Sequence, residues 1–220
     1  MGVNKATFKF LNDLKANNDR DWFAANKDRF ETAKEDFEAV VAKLIKGIAK
    51  FDPAIGDLDA KKCTFRIYRD TRFSKDKTPY KINMGAHLVA HDQKPHDRAG
   101  YYVHIEPGGC FLAGGAYLPP APWIKAIRSE IDHNAAALKK IISAKAFKDY
   151  FGEMEGEKLK TAPRDYPKDH PEIELMKYKS FLAVHKLNEA DVIAPGFEEH
   201  ATKVFKALKP FDDFLNSCLD

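Results

Sequence analysis

Apolar residues in the first fifty positions recur at helical spacing. Phe8, Leu11 and Leu14 predict a short amphipathic helix. Asn17-Asn18-Asp19 interrupts the pattern, because short polar side chains compete for the backbone hydrogen bonds of a helix, and Asp19 is placed to cap the next one. From Trp22 onward Phe23, Phe30, Phe37, Leu44 and Phe51 return every seven residues, and Ala33, Val40, Val41, Ile45 and Ile48 widen the stripe. This predicts one long helix that lays a broad face on a core and ends before Pro53. The stripe is wider than a coiled-coil seam.

The apolar period then shortens to strand alternation. Over 63–69, Phe65 and Ile67 fall on one face and Arg66 and Tyr68 on the other. Over 82–90, Met84, Ala86 and Leu88 oppose Asn83, His87 and Val89. A polar loop over 91–100 leads to a strand over 101–105, a Pro107-Gly108-Gly109 turn and a strand over 110–113. Short connections between successive strands predict an antiparallel meander. Helical spacing returns at Trp123, Ile127 and Ile131 after Pro119-Pro120-Ala121-Pro122, continues over 135–151 and stops at Gly152. Asp169-His170-Pro171-Glu172 reads as a capped helix start, 180–187 as one more strand, and 197–219 as a final helix kinked by Pro210. Both Trp22 and Trp123 read as core anchors. The fold class is therefore α+β: an antiparallel strand meander in the middle of the chain, packed against long N-terminal and C-terminal helices. One domain over 1–220 is expected, with 153–220 as a possible small helical subdomain beyond the weak joint at 152–156.

Composition changes this picture little. Hydrophobic residues make up 44% and charged residues 31%, as in an ordinary globular protein, and sixteen Phe and eight Tyr argue against disorder. Cys63, Cys110 and Cys218 are odd in number and contain no CxxC pair, which favours reduced thiols. The first residues lack an apolar segment of signal-peptide length, and no apolar run reaches membrane-spanning length. A soluble, cytoplasmic protein without a membrane partner is the expectation.

Charge changes it more. The chain as a whole carries only +3, so an electrostatic partner has to be read locally. Residues 61–81 contain Lys61, Lys62, Arg66, Arg69, Arg72, Lys75, Lys77 and Lys81 against Asp70 and Asp76, a local +6. Arginines three apart alternate faces on a strand, so the cluster forms only if the chain turns after Arg69. Turn-forming residues at 70–71, 74 and 78–79 provide for that. Arginine forks grip phosphate or carboxylate, lysines add point charge, and Tyr68, Phe73 and Tyr80 offer flat surfaces for a base or sugar.

The string over 65–81, Phe-Arg-Ile-Tyr-Arg-Asp-Thr-Arg-Phe-Ser-Lys-Asp-Lys-Thr-Pro-Tyr-Lys, closely resembles the signature of an uncharacterised bacterial and fungal family, domain of unknown function 2461. Residues 17–23, 100–102, 105–109, 169–171 and 177–181 are similar to further blocks of it. The resemblance covers nearly the whole chain. It implies a single family domain and no particular activity, substrate or catalytic residue.

Other constellations point to less. His87, His91, His96 and His104 surround one hairpin but match no metal-ligand spacing, and no metal is expected. His104 and Glu106 read as pointing to opposite faces, which argues against an acid/base pair. There is no P-loop, GxSxG elbow or HExxH, and no cofactor is expected. Residues 158–179 form a second locally basic stretch.

The function expected first is binding of an anionic, phosphate-bearing ligand, a nucleotide or a nucleic-acid backbone. The candidate residues are Arg66, Tyr68, Arg69, Asp70, Arg72, Ser74, Lys77, Tyr80 and Lys81. Two alternatives stand beside it. One is an enzyme in which Arg66, Arg69 and Lys77 orient a phosphorylated or carboxylated substrate and Asp70, Tyr80 or a histidine moves the proton. The other is a structural clamp in which the arginines meet Asp19, Asp21, Asp70, Asp76 or Glu106.

Overall fold

Asn4 opens the chain's first helix by accepting the Ala6 N–H on its side chain, 2.9 Å away, and the computed structural model describes residues 2–90 and 96–219. Helix α1 (Lys5–Ala16) buries Phe8, Leu11 and Leu14. Asp19 caps α2 (Arg20–Ala25) by accepting the Trp22 N–H at 2.8 Å. The expected single long helix is in fact two. Asn26 leaves helical geometry at φ −116°, ψ 20°, and its side-chain amide donates to the Trp22 carbonyl at 2.9 Å. That local bond competes with the helix ladder, so α3 (Lys27–Ile48) starts afresh. It buries Phe37, Val41, Leu44 and Ile48 along one face.

A short helix α4 (Ala60–Cys63), capped by Asp59, occupies the start of the expected strand over 63–69. Beyond it the chain runs as an irregular ribbon. Among the described residues two isolated antiparallel bridges lie along it, Thr64 to Ala86 and Tyr68 to Tyr80. Alternation presupposes a continuous pleat, which is missing here, so Phe65 and Ile67 do not share a face: Ile67 is buried and Phe65 is exposed.

Four strands, β1 (Met84–Leu88), β2 (Gly100–Ile105), β3 (Cys110–Ala116) and β4 (Phe181–Leu187), form an antiparallel sheet in the order β1-β2-β3-β4. The hairpin between β2 and β3 turns at Gly108, whose φ of 81° suits glycine. Helices α5 (Ala121–Ser143), α6 (Lys145–Phe151), α7 (Ile173–Met176), α8 (Glu189–Ile193) and α9 (Phe197–Ser217), with a short 3-10 turn at Pro53–Ile55, complete the described elements, an α+β arrangement. Asn134 kinks α5, and Pro210 lies within α9. The capped start expected at Asp169 is absent. The one-turn α7 begins only after Glu172, whose N–H is taken by His170 Nδ1 at 3.1 Å.

The chain divides into two compact units. The first comprises Met1–Leu88, Tyr102–Leu112 and Lys186–Lys203, the second Val89–Tyr101, Ala113–His185 and Val204–Asp220. In the first, α1 packs on α3, and α3 and α4 pack on β1. In the second, Trp123 is buried and its indole N–H donates to the Leu215 carbonyl at 2.8 Å, while Phe147 meets Phe211 edge to face. Trp22, by contrast, is only half-buried, because it caps the rim of α1 beside Phe10 and the Arg29 guanidinium. All three cysteines are free, and no described helix is long and apolar enough to cross a membrane.

Candidate functional site

The basic ribbon lies wholly in the first unit and is fixed from below by one side chain. Asn18 donates its amide to the Tyr80 carbonyl at 3.0 Å and accepts the Tyr80 N–H at 3.1 Å. It thus stands in for a neighbouring strand at the point where α1 gives way to α2. Tyr80 is buried and stacks on Phe23 with ring centroids 4.0 Å apart. Burial pushes its phenol pKa up. The expectation that Tyr80 offers a stacking surface is therefore corrected: its ring is spent on the core.

Internal bonds shape the loop above it. Arg69 donates to Asp76 at 2.6 Å, to the Thr78 carbonyl at 3.2 Å and to the Thr78 hydroxyl. The Thr78 backbone N–H and then Arg69 hold the Asp76 carboxyl down at about 2. Arg72 grips Asp70 with a fork, Nε to Oδ1 at 3.0 Å and Nη2 to Oδ2 at 2.7 Å. That contact keeps the Asp70 carboxyl below its ordinary value. Lys77 donates to the Thr71 carbonyl at 2.8 Å, and the Ser74 N–H reaches the same oxygen at 3.3 Å. Of the acidic partners weighed for a clamp, Asp70 and Asp76 are used; Asp19 and Glu106 are engaged elsewhere, as a helix cap and by His104.

Not every cation is spent this way. Among the described residues no carboxylate lies within ion-pair distance of Arg66 or Lys75, and both side chains are exposed. Lys81 is half-buried, with its ammonium 5.4 Å from the centroid of the Phe65 ring. Burial first, and the neighbouring Arg66 second, lower its pKa.

Between these cations stand three rings that a core would normally claim. Phe73 is 95% exposed, Tyr68 53% and Phe65 41%. Phe65 rests near Tyr102 at 6.2 Å; Tyr68 rests near Phe23 at 6.1 Å and Tyr80 at 5.5 Å. Phe73 has the Arg72 guanidinium 5.8 Å from its centroid. Period-two alternation assigns Phe65 to the core, so the sequence does not mark it as a surface residue.

A second arrangement in this unit also departs from the sequence expectation. His104 on β2 and Glu106, just past its end, are two residues apart in extended chain, so they share a face rather than oppose one another. Tyr102, His104 and Glu106 form a hydrogen-bonded row, Tyr102 Oη to His104 Nδ1 at 3.0 Å and His104 Nε2 to Glu106 Oε2 at 3.1 Å. The imidazole stacks on Phe111 at 4.5 Å, and burial lowers its pKa. A neutral ring then has its proton on Nε2, donates to Glu106 and accepts from Tyr102. Of the other histidines weighed for a metal, His91 lies outside the described residues and His96 meets the Tyr117 carbonyl. Among the described residues no group of three or more histidine, cysteine or carboxylate side chains is placed to hold a metal ion.

A family model described as conserved hypothetical protein (DUF2461) matches residues 6–214. The chain belongs to that family. No curated protein and no solved structure matches it. The DUF2461 match runs through both compact units and takes in the whole ribbon, so the aromatic and basic surface lies inside the family domain.

Proposed function

We propose that this DUF2461 protein binds a phosphate-bearing ligand on the exposed face of residues 65–77. One observation carries the reading: Phe65, Tyr68 and Phe73 stay exposed among Arg66, Arg72, Lys75 and Lys77 instead of being buried. Exposed aromatics interleaved with cations suit a ligand that has both a flat ring and an anionic group. Within this reading the nine candidate residues divide their work. Arg66, Tyr68, Arg72, Lys77 and Lys81 meet or attract the ligand, while Arg69, Asp70, Ser74 and Tyr80 hold the loop that presents them. Arg72 remains able to reach a phosphate because its fork on Asp70 is exposed to solvent.

The test is equilibrium titration of the full chain with ATP and with inorganic tripolyphosphate at low salt. Binding that falls about tenfold or more in an Arg66→Ala/Lys75→Ala double variant supports the assignment. Neither residue makes an ion pair among the described residues, so the fold is left intact. Absence of binding at low salt, or binding that the double variant does not weaken, overturns it.

A further inference from the structure

We infer that the natural ligand of this surface is a single-stranded nucleic acid, its bases laid on Phe65, Tyr68 and Phe73 and its phosphates on the cations between them. This rests on the phosphate-ligand reading above and names the ligand class.

The first ground is the separation of the rings. Among the described residues no ring contact joins Phe65, Tyr68 and Phe73 to one another; their neighbours are Tyr102, Phe23, Tyr80 and the Arg72 and Lys81 side chains. One base covers one ring, so a mononucleotide leaves two of the three platforms bare. Successive bases of a strand use all three. The second ground is how two of the rings are mounted. Phe65 and Tyr68 each lean on other side chains while staying exposed to solvent. That suits a stacking platform, because every base has a π-face to offer. A duplex keeps those faces inside its own stack. The third ground is preorganisation. The bonds from Arg69 to Asp76 and to the Thr78 carbonyl, with Asn18 on the Tyr80 backbone, fix the loop before any ligand arrives, which lowers the ordering cost of binding. Lys75 and Arg66 supply cations along the same stretch, neither of them in an ion pair with a described carboxylate.

An anionic membrane is the competing partner for a loop tipped by Phe73. Insertion requires a protruding apolar wedge, and here only Phe73 protrudes while Phe65 and Tyr68 are partly covered. The single strand accounts for all three rings, the membrane for one.

The experiment is fluorescence anisotropy of the full chain with labelled oligouridylate and oligothymidylate strands of graded length. ATP, a blunt duplex of the same length and phosphatidylserine-containing vesicles complete the series. The expected result is affinity that rises with strand length, exceeds that of ATP and duplex, and falls steeply with salt. Phe73→Ala and Tyr68→Ala should each weaken strand binding about tenfold, with the salt dependence unchanged because no charge is lost. Phe73 touches little of the fold, so its variant separates loss of binding from loss of structure. If ATP or duplex binds as tightly as the strands, the single-strand inference falls and the phosphate reading stands. Binding to vesicles without binding to strands also overturns it. If no anionic probe binds at low salt, both fall.

Discussion

Residues 64–81 and residues 155–182, the latter running through α7 into β4, are pinned in the same way. Each is held by two isolated antiparallel bridges, Thr64 to Ala86 and Tyr68 to Tyr80 in the first, Glu155 to Leu182 and Lys158 to Tyr178 in the second. Each is rich in lysine and arginine. Each leaves cations without an ion pair among the described residues, Arg66 and Lys75 in the first and Lys160, Arg164 and Lys168 in the second, so their surfaces differ chiefly in the exposure of their rings. In the second, Lys158 and Lys177 meet Glu174 at 3.7 and 2.6 Å, and Lys179 meets Glu157 at 2.6 Å. Its rings are covered: Phe181 is buried, Tyr166 is half-buried, and Tyr178 sits half-buried beneath the Lys158 ammonium and donates to the Met154 carbonyl at 3.0 Å. In the first, two arginines are matched by aspartates, but Arg66 and Lys75 are not, and three rings face solvent. A count of basic residues therefore does not distinguish a clamp from a surface. The exposure of aromatics does.

That contrast can be broken at the second ribbon first. Gly156 has a φ of 145°, and a Cβ there would run into the Ser180 carbonyl oxygen. Gly156→Ala should destabilise the protein by about 3 kcal/mol, read from the midpoint of urea unfolding. An unchanged midpoint would show that the ribbon yields and that its bridges matter little. The first ribbon has its equivalent weak point in Asn18. Asn18→Ala removes both bonds to the Tyr80 backbone and should cost about 2 kcal/mol, with ligand affinity lowered as well. If stability falls while affinity holds, the loop above Tyr80 keeps its own shape.

Proton equilibria give smaller effects. His104 has its pKa depressed from 6.5 by burial, so the unfolded chain binds the proton more readily than the folded one. Stability therefore rises with pH up to about 6.5 and declines as pH falls below it, until the depressed folded value is reached. Melting temperatures between about pH 5 and 7 should show this slope, and His104→Gln should flatten it. A slope that survives the substitution would assign it to another group. Asp76 is expected to titrate near 2 in a carboxyl-resolved NMR titration. Its contribution is fully present above the ordinary value of 3.8 and is lost as pH falls to about 2. A titration at the ordinary value instead would mean that Arg69 and Thr78 do not hold the loop in solution, and the ribbon would then lose its standing as a preformed platform.

Much of the architecture is legible in the residues. Period-two alternation marks β1, the Pro107-Gly108-Gly109 turn sets off β2 and β3, and the seven-residue recurrence of Phe30, Phe37 and Leu44 marks α3, because burial of one face forces those periods. The break at Asn17-Asn18-Asp19 and the cap at Asp19 are legible for the same local reason that makes these residues poor in helix interiors. The site is less so. Arg69, Arg72, Asp70 and Asp76 stand out as a charged run, and their pairing is one of the readings the run allows. Phe65 and Tyr80 exchange roles, because which ring reaches the core depends on a bridge to a residue far along the chain and on Asn18 beneath it. Asn26 breaks the long helix through a side-chain bond that hydrophobic periodicity does not register.

By itself, then, the sequence determined the α+β class, the family and the position of the local +6, since composition, period and motif are properties of neighbours in the chain. The tertiary structure alone decided which cations are neutralised and which rings remain exposed. Both depend on partners brought together by folding: Asn18 with Tyr80, Phe23 with Tyr80, and Phe65 with Tyr102. A side chain's exposure is fixed by what the fold places over it, and local spacing carries no record of that.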